Sequence, residues 1–484
     1  MSNTRKIFTN TIFYTLGYLL PQVLAFCLLP VFTAYLSRED YGIANYTNTV
    51  GLYLQQFCLL GFNTFLLRHH FLCKDEEESR RLFGTSAVFL FIFGVAILGV
   101  SLAITPPILA HYHISVPYYP YFPLAYLAIF FETFTVLPLI AFRVREKALS
   151  FILLNVTKVF CKYLFSLYLI IHLHMGVLGR FYAELAINII FFFLYFIIMR
   201  QYFTLSLDLK IVRKGIIFSL PFVTSAVLYQ LVDNSDRFFL ERTISLGQLG
   251  VFSIAITFYS AFSGLTQSMY RALEPTLYRS YDEPGFNDLF FSIKRTFFLV
   301  ALACGLFASI FIRDIVRVMT HPRFMQAAEM VPILILVAVI FGFQTLNTAI
   351  LTGHGKIRQI LYITILGAGL SLLLNAILIP RWGVWGVGFA KVICFSAMGM
   401  VSGFLVARCG VSHFGGDIRI IGAIAITALI GHLFANVLHL SLSPAGIIYK
   451  LVAYVGCMVL VIKMLGFDHR GLLSSIRSLV SKQV

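Results

Sequence analysis

Runs of apolar residues, each about as long as a membrane is thick, recur along the whole 484-residue chain. A helix needs about 20 apolar residues to cross the hydrocarbon core. Fourteen stretches qualify, at approximately 11–36, 43–66, 83–105, 120–142, 149–172, 180–199, 216–237, 249–270, 296–312, 330–351, 359–380, 384–407, 418–438 and 446–466. Lipid offers the backbone no hydrogen-bond partners, so each run must satisfy its own amides as a helix. The expected fold is therefore an all-α polytopic membrane protein of about 14 transmembrane helices. Only 12% of the residues are charged, against about 25% in a soluble domain. No loop exceeds about 25 residues, which leaves no room for a catalytic domain outside the membrane.

The net charge is +16, and its distribution decides what that means. Lys and Arg crowd the loops after every second run: Arg68, Lys74, Arg80 and Arg81; Arg143, Arg145 and Lys147; Arg200, Lys210, Arg213 and Lys214; Arg271, Arg279, Lys294 and Arg295; Lys356 and Arg358; Arg408 and Arg419. With the two ends of the chain, one side holds about 25 and the other roughly 8, the asymmetry of the positive-inside rule. Both termini are expected on the cytoplasmic side, and nucleic-acid binding is not expected. Arg313, Arg317 and Arg323 form the one outside loop that fits poorly. The run from Thr11 to Tyr35 is too long for a cleaved signal. The eight cysteines show no C-x-x-C or Cys/His spacing, so neither a disulfide nor a metal site is expected. No phosphate-binding G-x-x-x-x-G-K-[ST] loop or catalytic side-chain set stands out, and no cofactor is expected.

Two internal echoes divide the chain. Leu36-Ser-Arg-Glu-Asp-Tyr-Gly42 aligns with Ile244-Ser-Leu-Gly-Gln-Leu-Gly250 at an offset of 208, and Gly176-Val-Leu-Gly179 with Gly383-Val-Trp-Gly386 at 207. Two parallel six-helix repeats follow, because six is even, with two further helices at the C-terminal end. The expected divisions are 1–208 and 209–408 for the two lobes, 409–466 for the additional helices, and 467–484 for a cytoplasmic amphipathic tail.

Ionisable side chains inside a span cost a few kcal/mol unless they meet protein, water or cargo. Asn155, Lys158 and Lys162 share one face of the fifth run, both lysines near mid-bilayer. They read as a site for a phosphate or pyrophosphate head group, or as partners of Glu132 in the preceding run. At the offset of 207 the second half carries uncharged Ile365 and Gly369, so the positive charge belongs to the first half. Glu184 and Lys391 occupy matching positions; they invite a pairing between lobes, and the alternative gives each a partner of its own. Asp236 and Arg237 end the seventh run as a gate or coupling pair, or as a pair reaching the interface. Arg68 and Arg271 crowd the cytoplasmic mouths, as topology signals, lipid contacts or recruiters of an anionic substrate. Asp75-Glu-Glu-Glu78 beside Arg80 and Arg81 reads as a solvated, self-compensated loop.

Several stretches resemble the bacterial oligosaccharide (O-antigen-type) lipid flippases. They are Leu36-Ser-Arg-Glu-Asp-Tyr-Gly-Ile-Ala-Asn-Tyr46, Asp236-Arg-Phe-Phe-Leu240, Leu249-Gly-Val-Phe-Ser-Ile-Ala255, Leu374-Asn-Ala-Ile-Leu-Ile-Pro-Arg-Trp-Gly-Val-Trp-Gly386 and the looser Arg323-Phe-Met-Gln-Ala-Ala328. The likeness covers nearly the whole chain. It implies the fold of the multidrug/oligosaccharidyl-lipid/polysaccharide exporter superfamily, alternating access between the lobes, the bacterial inner membrane, and an undecaprenyl-diphosphate-linked glycan as cargo. Lys158 and Lys162 match the family's basic cavity in kind. Lys391 departs from the pattern, which favours a small or polar residue there. The expected function is a flippase for surface polysaccharide, with membrane lipids, a glycan polymerase and chain-length proteins as partners and no enzymatic activity. The rivals are a cation-coupled multidrug antiporter of the same superfamily and a membrane-embedded glycan polymerase or ligase.

Overall fold

The computed structural model describes residue 17 and residues 19–280, 284–411, 414–436 and 443–467. The expected tail beyond residue 467 and the start of the first run lie outside them. In chain order the helices are α1 (Leu29–Tyr35), α2 (Arg38–Leu59), α3 (Phe62–His69), α4 (Glu76–His111), α5 (Tyr121–Val144), α6 (Ala148–Ile171), α7 (Gly176–Met199), α8 (Leu209–Asn234), α9 (Asp236–Thr243), α10 (Leu246–Arg279), α11 (Phe286–Met319), α12 (Ala327–Gly353), α13 (Ile357–Trp382), α14 (Val384–Ala407), α15 (Phe414–Asn436) and α16 (Pro444–Met464). Among the described residues thirteen helical segments are long and apolar enough to span a membrane. The protein is an all-α, multi-pass membrane protein.

Local chemistry sets the breaks. Ser37 and Asp40 form a capping box at the start of α2: the Ser37 hydroxyl accepts from the Asp40 amide at 3.0 Å, and the Asp40 carboxylate accepts from the Ser37 amide at 2.9 Å. The second apolar run is not one straight rod. Leu60 and Gly61 both take left-handed backbone, so α2 ends and α3 starts at a new angle. The acids expected in a solvated loop instead open a helix. Asp75 caps α4, and Glu76, Glu77 and Glu78 fill its first turn, where the helix dipole favours negative charge. Glu76 also accepts from Arg145 at 2.6 Å.

The chain packs as two compact units, residues 1–250 and 251–484. Inside the first, α7 lies between α5 and α6, and α4 packs on α5 and α2. Inside the second, α14 lies between α12 and α13, and α11 packs on α12. The same arrangement thus occurs in each. The helix that opens the second sequence repeat, α8, packs against α2, α3 and α4. It is received at the α2–α3 break: a Cβ on Gly215 would strike the Phe62 ring, and one on Gly61 would meet Ser219. The packing unit therefore extends past the expected 208/209 division to Gly250. Beyond the repeats, α15 packs on α11 and α12, and α16 on α11 and α15.

The two copies of the first echo meet each other. A Cβ on Gly42 would overlap the Leu246 carbonyl oxygen, and one on Gly250 the Arg38 carbonyl oxygen. Only glycine allows backbones this close. Gly250→Val is expected to cost at least about 1–3 kcal/mol, because backbone cannot yield as a side chain can. The loss should appear as a lower thermal midpoint of the detergent-extracted protein. Gly456, with nothing within 4 Å of its Cβ position, is the control: Gly456→Val should leave the midpoint unchanged.

Candidate functional site

Three consecutive helices of the first unit carry four charges toward one another. On α6, Lys158 and Lys162 are one turn apart. The buried Lys158 Nζ lies 3.5 Å from Glu132 Oε1 on α5 and donates to the Thr135 hydroxyl at 3.3 Å. Lys162 Nζ donates to Glu184 Oε1 on α7 at 3.2 Å. Glu132 on α5, Lys158 and Lys162 on α6 and Glu184 on α7 thus form a row of two positive and two negative charges across three helices. Burying either lysine alone would be costly; each carboxylate lowers that cost. Glu132 remains half-buried, with a third of its side chain accessible. The Lys158–Glu132 contact is long for an ion pair, so the lysine is only loosely held.

Asn155 shares the lysines' face but is engaged elsewhere: its Nδ2 donates to the Gly17 carbonyl at 2.8 Å, tying α6 to the first apolar run. The hairpin geometry corrects the repeat register here. Lys147 N donates to Phe142 O at 2.8 Å, and Lys356 N to Leu351 O at 2.9 Å, so α5–α6 and α12–α13 align at an offset of 209. The counterparts of Lys158 and Lys162 are therefore Gly367 and Ser371, not Ile365 and Gly369. They are equally uncharged, and the charge is confined to the first repeat.

Glu184 finds its partner on the neighbouring helix of its own unit. Lys391 is buried on α14 in the second unit. Asp236 and Arg237 are brought together but do not reach the surface. Asp236 Oδ1 accepts from the Arg237 backbone amide at 3.0 Å and from its Nη1 at 2.9 Å, and Nη1 also donates to the Asp233 carbonyl at 2.9 Å. Both side chains are buried at the α8–α9 junction. Of the two readings of this pair, the reach to the interface does not fit its burial; next to it Phe238 packs against Tyr46 and Tyr53. Tyr53 donates to the Gln230 carbonyl at 3.2 Å and so joins α2 to α8. Arg68 stands over the Phe218 ring at 5.4 Å. Arg271 is exposed on α10.

Two buried pairs escaped the sequence reading. Lys294 on α11 donates to Asp417 on α15 at 2.8 Å and to the Asn347 side chain on α12 at 3.2 Å, with the Phe343 ring 4.0 Å away. Lys450 on α16 donates to Asp314 on α11 at 2.5 Å. The sequence groups Lys294 with loop cations, but α11 starts at Phe286 and carries it into the helix. The signal available was the single acid in the first turn of the thirteenth run.

The comparisons with known proteins agree with this architecture. The model of the polysaccharide biosynthesis protein family matches residues 7–280, more than half of the chain, and the chain belongs to that family. A MatE model matches residues 221–377. Among solved structures, the lipid II flippase MurJ in an inward closed conformation superposes with a TM-score of 0.73 at 12% identity, covering 95% of this chain and 99% of that one. An inward-facing multidrug resistance MATE transporter of the MOP superfamily gives 0.64 at 16% identity, covering 85% and 96%. The MATE multidrug transporter DinF-BH gives 0.59 at 19% identity, covering 84% and 96%. The fold is that of the multidrug/oligosaccharidyl-lipid/polysaccharide exporter superfamily. The comparison with curated proteins returns no match.

Proposed function

We propose that this protein is a flippase that carries an undecaprenyl-diphosphate-linked oligosaccharide from the cytoplasmic to the outer leaflet by alternating access, for surface polysaccharide synthesis. The observation that carries this reading is the pair of membrane-embedded lysines, Lys158 and Lys162, each facing a single carboxylate. A diphosphate brings oxygen acceptors that bind ammonium groups more strongly than a neutral group does. On arrival it displaces Glu132 and Glu184 from the lysines, and the carboxylates hold the ammonium groups when the cargo has left. Resting neutrality keeps the empty site inside the membrane without cargo. Both termini lie on the cytoplasmic side, following the charge asymmetry of the loops.

The test is Lys158→Met with Lys162→Met, made together with Glu132→Gln and Glu184→Gln so that no carboxylate is left without its lysine. Surface polysaccharide should be lost while the amount of protein in the membrane is retained, and glycolipid translocation in reconstituted vesicles should stop. Normal polysaccharide from that variant would remove the lysines from the site. The match of the MatE model to residues 221–377 supports a second reading, a cation-coupled multidrug antiporter. Cationic cargo needs acids without paired lysines, and the first unit carries as many lysines as acids at this point. Drug efflux by wild-type cells without any glycolipid transport would favour the antiporter.

A further inference from the structure

Each unit holds a groove on the same three helices of its repeat. In the second unit, α11, α12 and α14 border a cavity of about 350 Å³, and α15 lies along it with Asp417, Ile418 and Ile421 facing in. In the first unit, α4, α5, α7 and the segment after α7 border a cavity of about 420 Å³ paved by phenylalanines, and among the described residues no further helix of that unit lines it. Ring packing fixes the correspondence. Phe91 sits on Phe134 with centroids 5.6 Å apart, as Phe298 sits on Phe343 at 5.9 Å. Counting along the helices from these rings, Phe91, Val95, Gly99 and Ala103 stand where the second unit has Phe298, Leu302, Leu306 and Ile310.

The two stripes differ in cover. Phe298, Leu302, Leu306 and Ile310 are 0, 1, 0 and 2% exposed. Ile424 on α15 shares a pocket with Leu302, and Phe434 packs with Leu306 and Ile310. Phe91 and Val95 are 42 and 47% exposed, and nothing lies within 4 Å of where a Cβ on Gly99 would stand. Among the described residues, one repeat thus covers this face with a transmembrane helix and the other leaves it bare.

We infer that the α4–α5–α7 groove of the first unit is the docking surface for a transmembrane helix of a second membrane protein, seated as α15 is seated on the second unit. The lining specifies the partner. Ala87 stands where Lys294 meets Asp417, so the docked helix carries no acid in its buried stretch. Phe192, Phe193 and Phe196 replace Gly399, Met400 and Gly403, so the partner presents small residues to them. Arg200, exposed at the C-terminal end of α7 beside the lining residue Met199, calls for an acidic residue where the partner helix leaves the membrane. The inference does not depend on which cargo the protein carries.

The test places a photo-crosslinking amino acid at Val95 of the full chain in native membranes, with Leu373, an exposed residue of α13, as the control position. The expected result is one adduct of discrete mass at 95 and none at 373. Its digest joins residue 95 to an uncharged apolar segment of another membrane protein that ends in an acid. Arg200→Glu, made at unchanged membrane level, should remove the adduct, and reversing the partner's acid to Lys should restore it. An adduct to this chain's own peptides, adducts of phospholipid mass only, equal labelling at 373, no adduct, or indifference to both charge changes would each overturn the proposal.

Discussion

The variant Lys158→Met with Glu132→Gln should insert and fold at close to the wild-type level and translocate no glycolipid. Its logic separates a site from a scaffold. Removing Lys158 alone leaves the half-buried Glu132 carboxylate without its ion-pair partner, which is destabilising; such a variant confuses misfolding with loss of binding. Removing both charges takes away the pair together with its desolvation cost, which is often neutral for stability. If the pair exists only to hold α5 against α6, the double variant works. If Lys158 meets the cargo's diphosphate, transport disappears while the thermal midpoint stays. The readouts are glycolipid translocation in vesicles and the midpoint of the same preparation, and retained translocation at wild-type rate would make the pair purely structural. Lys162→Met with Glu184→Gln forms the parallel case one turn along the same face.

Lys450→Met should strongly destabilise the second unit. It leaves the Asp314 carboxylate buried between α11 and α16 without the ammonium 2.5 Å away. The expected cost is about 3–5 kcal/mol, read as a fall in the thermal midpoint and a protease-sensitive C-terminal helix pair. Lys450→Met with Asp314→Leu should return to within about 1 kcal/mol of wild type, because well-packed apolar residues replace a buried ion pair at little loss. A double variant as unstable as the single one would mean that Asp314 is not what strands when Lys450 is removed.

Much of this architecture can be read directly from the residues. Run length marks the spans because lipid leaves the backbone no alternative. Ser37 and Asp40 mark a helix start because their side chains can only reach the first-turn amides from that position. The charge chain was half legible. Glu132 and Lys158 are equidistant from Arg145 in the α5–α6 turn, and Lys162 and Glu184 from Leu173 in the α6–α7 turn. Antiparallel neighbours place such residues at one depth, so hairpin symmetry points to both pairs; without it the sequence indicates the first and leaves Glu184 open between the other repeat and a partner of its own. Lys294–Asp417 and Lys450–Asp314 join residues 123 and 136 positions apart. Their pairing depends on which face of α11 receives the two helices outside the repeats, and no periodicity encodes that. The repeat offset misled by two residues in α13, since loops of unequal length shift the register between one hairpin and the next.

The meeting of Gly42 with Leu246 and of Gly250 with Arg38 is reciprocal. Each copy of the motif receives the other in the same way, the self-complementary contact that a two-fold dimer makes. A side chain at either glycine would strike backbone rather than a movable side chain, so each motif copy can seat the other only while both positions stay glycine.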